Sequence, residues 1–138
     1  MRLLGPLIAM LCMFSTPALA QDESIFADYD AYDAFVNERI MAREFVPLLL
    51  RLGGRNEYTD EEIEENQAQM RQIWPVDFKR VTVFREVDLG GGVRQEGRLF
   101  WGDAGYLFYY ALLHQREDAL VVLNFHVNTN SKPVMERF

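Results

Sequence analysis

A single cysteine, Cys12, is the first scarcity in this chain, and it sits inside an N-terminal apolar run. No intramolecular disulfide can form, so the fold must be held by its core alone. Hydrophobic residues make up 49% of the chain and aromatics 13%, enough to build one. Past that run no thiolate is left for nucleophilic, redox or zinc chemistry. Serine is nearly as scarce: past residue 20 only Ser24 and Ser131 remain, at the two ends, which argues against a serine triad. The only histidines, His114 and His126, lack His-x-x-x-His spacing, so no metal site is expected and no cofactor is implied. Positive charge is short as well, with 14 Lys+Arg against 21 Asp+Glu and a net charge of −7. Such a surface repels phosphate backbones and anionic lipid, so neither nucleic acid nor a membrane surface is an expected partner.

What is present begins with an address. Arg2 is followed by an apolar run from Leu3 to Phe14, and Pro17 precedes Ala18-Leu19-Ala20, a small-x-small cleavage pattern. The run is shorter than the ~20 apolar residues needed to span a bilayer. Met10-Leu11 stand before Cys12 where lipoprotein processing wants small residues. The expectation is a signal peptide over residues 1–20, cut after Ala20. Residues 21–138 would then be one periplasmic or secreted domain with no membrane attachment. Because Arg2 is the only charged residue removed, the mature chain is one unit more acidic than the whole.

The first half of the mature chain reads as helix. Ile25, Tyr29, Tyr32, Val36 and Ile40 recur at steps of four and three, widened by Phe26 and Phe35, with Ser24 or Asp22 as cap. Pro47 predicts a kink or restart, residues 48–52 a short apolar turn, and Gly53-Gly54 a left-handed stop. Thr59-Asp60-Glu61-Glu62 matches a capping box, opening a rim helix that Pro75 ends near Trp74. The second half switches to strands over 81–89, 93–101, 106–114 and 120–128. Gly90-Gly91-Gly92 joins two strands, so it is a hairpin turn and not a phosphate cradle. The acidic block 60–65 opens a helix and lacks calcium-loop spacing. The fold class is therefore α+β: a long N-terminal helix and shorter helices packed on a four-stranded antiparallel meander.

Parity along the strands predicts one apolar face made of Val81, Val83, Val87, Leu89, Leu99, Trp101, Tyr106, Phe108, Tyr110, Leu112, Val121, Leu123, Phe125 and Val127. The long helix is expected to cover it. Arg85 interrupts that face opposite Gly97, with Gln95 one pair along. One reading makes Arg85, Gln95 and Tyr110, with Trp101, a small pocket for an anionic or amphiphilic ligand. The other has Arg85 paired with Glu38 or Glu44, or snorkelling outward. The opposite face would carry Arg94, Glu96, Arg98, Tyr109, Asn124 and His126, with His126 across from Tyr109. That row is either a solvated sheet face or a site for proton transfer or an acidic partner. Phe84, Phe100 and Tyr109 there would leave apolar surface for a homodimer.

The order of a long helix, shorter helices and a curved antiparallel sheet, from Asp22 to about Asn128, resembles the NTF2-like superfamily, the cystatin-like α+β roll. It is also similar to small exported bacterial proteins, some of them roll-like. The resemblance implies a conical pocket between sheet and helix and frequent dimerisation through the outer sheet face. Enzymes of the superfamily place an acid–base pair in the pocket. The set Arg85, Gln95 and Tyr110 lacks the carboxylate, so no catalytic residue carries over, and the Gln-x-Val-x-Gly motif of cystatins is absent at Gln95-Glu96-Gly97. The expected function is an exported, non-catalytic roll domain that binds a small ligand or a protein partner. Its rival is an isomerase- or hydrolase-like enzyme using His126 and Tyr109 or a carboxylate donated by the helix.

Overall fold

Local signals set the helices. In the computed structural model, which describes residues 24–53 and 58–138, α1 spans Tyr29–Met41 and is capped by Asp28, whose carboxylate accepts from the Ala31 amide at 2.8 Å. The expected cap Ser24 instead precedes a two-residue strand β1 (Ile25–Phe26), and the first helix is shorter than its apolar stripe predicts. Arg43, at φ 56°, turns the chain into α2 (Phe45–Leu52). Pro47 falls in the first turn of α2, where its missing amide hydrogen leaves no bond unmade. Gly53, at φ 106°, closes α2 as expected. The Thr59 capping box opens α3 (Asp60–Ile73), with Glu62 and Thr59 satisfying each other's amides at 3.2 and 2.8 Å. The expected export segment, the Asp22 cap and Gly54 lie outside the described residues. Among the described residues, no helix is long and apolar enough to cross a membrane.

Four long strands follow: β2 (Arg80–Gly90), β3 (Val93–Gly102), β4 (Gly105–Gln115) and β5 (Leu120–Asn128). Their short connections make them antiparallel neighbours, and β1 adds a fifth strand on β5, giving the order β1-β5-β4-β3-β2. The chain then ends in a short helix α4 (Ser131–Met135). The architecture is α+β, with a five-stranded sheet in place of the expected four.

The expected core face is the main correction. α1 covers the face of Phe100, Leu107, Tyr109, Ala111 and Leu113, all of them buried. Leu99, Trp101, Tyr106, Phe108, Tyr110 and Leu112 face the other way. Two bulges split the rest of the predicted set. The register slips between Val83 and Arg85, leaving Phe84 as the extra residue, so Val81 and Val83 join the α1 face while Arg85 and Val87 leave it. A second slip, at Leu112/Leu113, leaves Leu123 extra in β5, so Leu120, Val122, Phe125 and Val127 share the α1 face. Leu89 is exposed beside a further irregularity at the hairpin turn. Parity counted without bulges carries a strand to the wrong side, and both faces of β3 and β4 are apolar enough to pass as core.

The core lies between this face and the helices. Tyr32, Val36 and Ile40 from α1 meet Phe45, Leu48 and Leu52 from α2. An aromatic ladder then runs from Phe45 through Trp74 and Phe78 to Phe100, with centroids 5.8 to 6.3 Å apart. Each buried side chain of this size stabilises the fold by roughly 1.5–3 kcal/mol. The Trp74 indole donates to the Tyr106 carbonyl at 2.9 Å, tying the end of α3 to the β3–β4 turn.

Candidate functional site

Polar chemistry enters the core through β3. Glu96 and Arg98 alternate with Gly97, so both point toward α1, and both side chains are wholly buried. Arg98 Nε donates to Glu96 Oε1 at 2.5 Å, and its Nη1 reaches Asp33 Oδ1 at 2.6 Å and Asn37 Oδ1 at 2.7 Å. The Tyr29 hydroxyl donates to Glu96 Oε2 at 2.6 Å, and Tyr32 bridges Glu96 at 3.3 Å and the Tyr109 hydroxyl at 3.0 Å. Tyr29, Tyr32, Asp33 and Asn37 lie at steps of three and four on α1, which places them on adjoining rows of the helix.

These partners fix the protonation states. Burial works against the Arg98 charge, but Tyr32 and the Glu96 carboxylate outweigh it and lift its pKa above the ordinary guanidinium value. Burial, then the bond to Glu96, raises the Tyr29 phenol, while burial and the neighbouring Tyr109 and Glu96 raise Tyr32. Tyr109 is raised by burial despite its bond to Tyr32. Three phenols held protonated and one guanidinium held charged can hydrogen-bond, but they cannot exchange protons near neutral pH.

The opposite face gathers a second group. Arg85 pairs with Gly97 across β2–β3, as the sequence predicts, but it is exposed and lies on the side away from Glu38 and Glu44. Its guanidinium sits 4.5 Å over the Phe138 ring. Gln95 donates to the Tyr110 hydroxyl at 3.2 Å and to the Arg137 carbonyl at 2.7 Å. The Phe138 ring stands edge-on to Tyr110 at 5.3 Å. Arg85, Gln95 and Tyr110 thus come together as expected, with the chain's own last residues lying among them. Trp101 is on the same face but at the far end of β3, paired with Tyr106.

A cleft of about 330 Å³ opens at the edge of the sheet. Phe45, Leu48 and Leu49 of α2, Tyr58 just ahead of α3, Asn66 and Met70 of α3, and Phe125, His126 and Val127 of β5 line it. It exists because β1 pairs only with Leu120 and Val121, so among the described residues no strand pairs with the outer side of β5 from Leu123 onward. Burial, reinforced by the charge of Arg137, lowers the His126 pKa, so the ring is neutral at neutral pH.

The predicted outer-face residues therefore separate. Arg94, Arg98 and Tyr109 lie under or beside α1, with the Arg94 guanidinium 4.2 Å over the Tyr29 ring. Asn124 and His126 lie on the other face, where His126 pairs with Tyr110 and not with Tyr109. Of the apolar surface expected for a dimer, Phe100 and Tyr109 are buried inside the molecule, while Phe84 stays exposed with its ring beside Gly97. Sequence reasoning missed Glu96 as the partner of Arg98, although both stand on one strand face at a spacing of two. It also missed Phe138, whose only signal was an aromatic residue beside the polar pair Glu136 and Arg137.

Comparison with known proteins yields no relative: no protein-family model, no curated protein and no solved structure matches the chain.

Proposed function

We propose that this chain is an exported, non-catalytic binding domain that takes a small amphiphilic molecule into the cleft between α2, α3 and β5. The observation that carries the reading is the lining: seven apolar or aromatic side chains with two polar ones, Asn66 and His126, around about 330 Å³. Ligand sites have this make-up, an apolar body with a few polar groups that orient the ligand. A neutral His126 offers a hydrogen bond rather than a charge. Among the described residues no carboxylate lines the cleft to work beside it, which favours binding over acid–base catalysis. The α1 helix lying across an antiparallel meander supports an NTF2-like roll. The pattern of Met1 to Ala20 supports export and a mature chain beginning at Gln21.

Decanoate and decanol, added to purified residues 21–138 below their micelle concentrations, test the reading by thermal unfolding. Binding to the folded state raises Tm. The expected result is a rise that Leu49→Glu, which puts a charge in the cleft, abolishes while the variant still melts cooperatively. Unchanged melting with both compounds would overturn the proposal.

A further inference from the structure

The cleft between α2, α3 and β5 is walled by backbone as well as by side chains. Phe125, His126 and Val127 all line it, although neighbouring residues of a strand point to opposite faces of the sheet. Three consecutive residues can border one cleft only where it runs along the edge of their strand. Cross-strand pairing tells which backbone groups face it. The Val122 amide turns outward, donating to the Ser24 carbonyl at 2.8 Å, and its partner in β4 is Leu113. Pairs along an antiparallel ladder alternate in the direction of their hydrogen bonds, so every second residue of β4 from Leu113 faces an outward-turned partner. Ala111 and Tyr109 are the next two, and their partners are Phe125 and Val127.

These edge groups stand open. β1 ends where Ser24 takes φ 70° and gives its own amide to the Arg51 carbonyl of α2 at 2.7 Å. Among the described residues, the outward amides and carbonyls of Phe125 and Val127 have no partner. Open edges are ordinarily blunted by charged side chains or proline. Residues 123–128 hold neither, since the His126 ring is neutral. The facing helix sets the charge of what can enter. α3 carries Glu61, Glu62, Glu64 and Glu65 just ahead of Asn66 and Met70, which disfavours a carboxylate head group. An amide is uncharged and offers the N–H and C=O that a strand edge pairs with.

We propose that the amphiphile this cleft takes is an N-acylated amino acid amide. Its acyl chain lies among Phe45, Leu48 and Met70, and its peptide groups add to the open edge of β5 at Phe125 or Val127. One ligand residue makes both bonds, donating to a β5 carbonyl and accepting from the same residue's amide. This rests on the cleft being a ligand site, as argued above, and names the head group that accompanies the apolar tail.

Titration calorimetry on purified residues 21–138 compares three probes below their micelle concentrations. They are N-decanoyl-alanine methylamide, the same compound methylated on its acyl amide nitrogen, and decanol. The first should bind about tenfold more tightly than the second, the effect of one hydrogen bond lost with its partner left unpaired. Hydrogen exchange at the Phe125 and Val127 amides should slow with the first probe and not with decanol. Val127→Pro deletes one outward amide, a change that an edge strand tolerates, and should weaken the first probe while decanol still binds. If that variant does not fold, the methylated probe and the exchange rates decide without it. Equal affinity for the two decanoyl compounds, with decanol bound, would overturn the amide head group and leave the cleft a ligand site. Exchange at Phe125 and Val127 unchanged by the bound acyl amide would overturn it too. If none of the three probes binds, the head group and the ligand site fall together.

Discussion

Arg98 and Glu96 stand two residues apart on β3, share a 2.5 Å hydrogen bond, and expose none of either side chain. A charge pair so deep is costly to desolvate and costlier to break. It is held because Asp33, Asn37, Tyr29 and Tyr32 satisfy the remaining donors and acceptors.

Arg98→Met is therefore expected to destabilise the protein by about 3–5 kcal/mol, the range for removing one member of a buried pair. Adding Glu96→Leu should recover part of that loss, because an apolar pair leaves no charge behind. Urea unfolding of the wild type, both single variants and the double variant reads the coupling directly. A double variant as unstable as the sum of the two singles would show that the pair acts as independent groups.

Alkaline pH should unfold the protein through its phenols. Tyr29, Tyr32 and Tyr109 are all raised above the ordinary value of 10.0 by burial. Above pH 10 the unfolded chain loses protons that the folded chain keeps, so stability present at lower pH declines as pH rises. The test is a urea midpoint series from pH 7 to 11, with Tyr32→Phe as comparison. That variant should show a shallower decline and lose about 1 kcal/mol at neutral pH, the value of one hydrogen bond.

His126 acts with the opposite sign. Its folded pKa is lowered from 6.5, so below that value the unfolded chain takes up a proton that the folded ring resists. Stability should fall modestly from pH 6.5 toward 5, and His126→Asn should flatten that limb. A proton NMR titration in which the folded ring titrates above 6.5 would contradict the burial argued for it.

Gly97→Ala should destabilise the protein modestly, because the added methyl meets only the far ends of two rings that can turn aside. Phe84 and Phe138 are the rings it would strike. Combining it with Phe138→Ala should give a total smaller than the two single effects added together. Strict additivity in thermal melts would mean that Phe138 does not rest over Gly97 in solution.

Much of this was legible in the residues. Pro47, Gly53 and the Thr59–Glu62 pair act on their own backbone, and local chemistry of that kind reads directly from order and spacing. The pairing of Arg85 with Gly97 was also readable, because the Gly90-Gly91-Gly92 turn fixes it. The choice of face was not. Extra residues at Phe84 and Leu123 leave no mark in composition, and each moves half a strand to the other side. The interior polar network hid for a different reason. Glu96 and Arg98 look like a solvated row until α1 brings Asp33 and two tyrosines to meet them. The cleft beside β5 depends on β1 being only two residues long, which no periodicity reports.

The polar network also dictates an order of assembly. Tyr32 finds Glu96 and Tyr109 across sequence separations of 64 and 77 residues, whereas β2 to β5 pair with their immediate neighbours. Hairpins close quickly and distant contacts slowly. A chain delivered N-terminus first must therefore carry α1 with its tyrosines and Asp33 in water until β3 and β4 have emerged and paired. Because those side chains are polar at their tips, the waiting helix is less prone to aggregate than one with a purely aliphatic stripe would be. The same residues that lock the finished core keep its first piece soluble while the rest arrives.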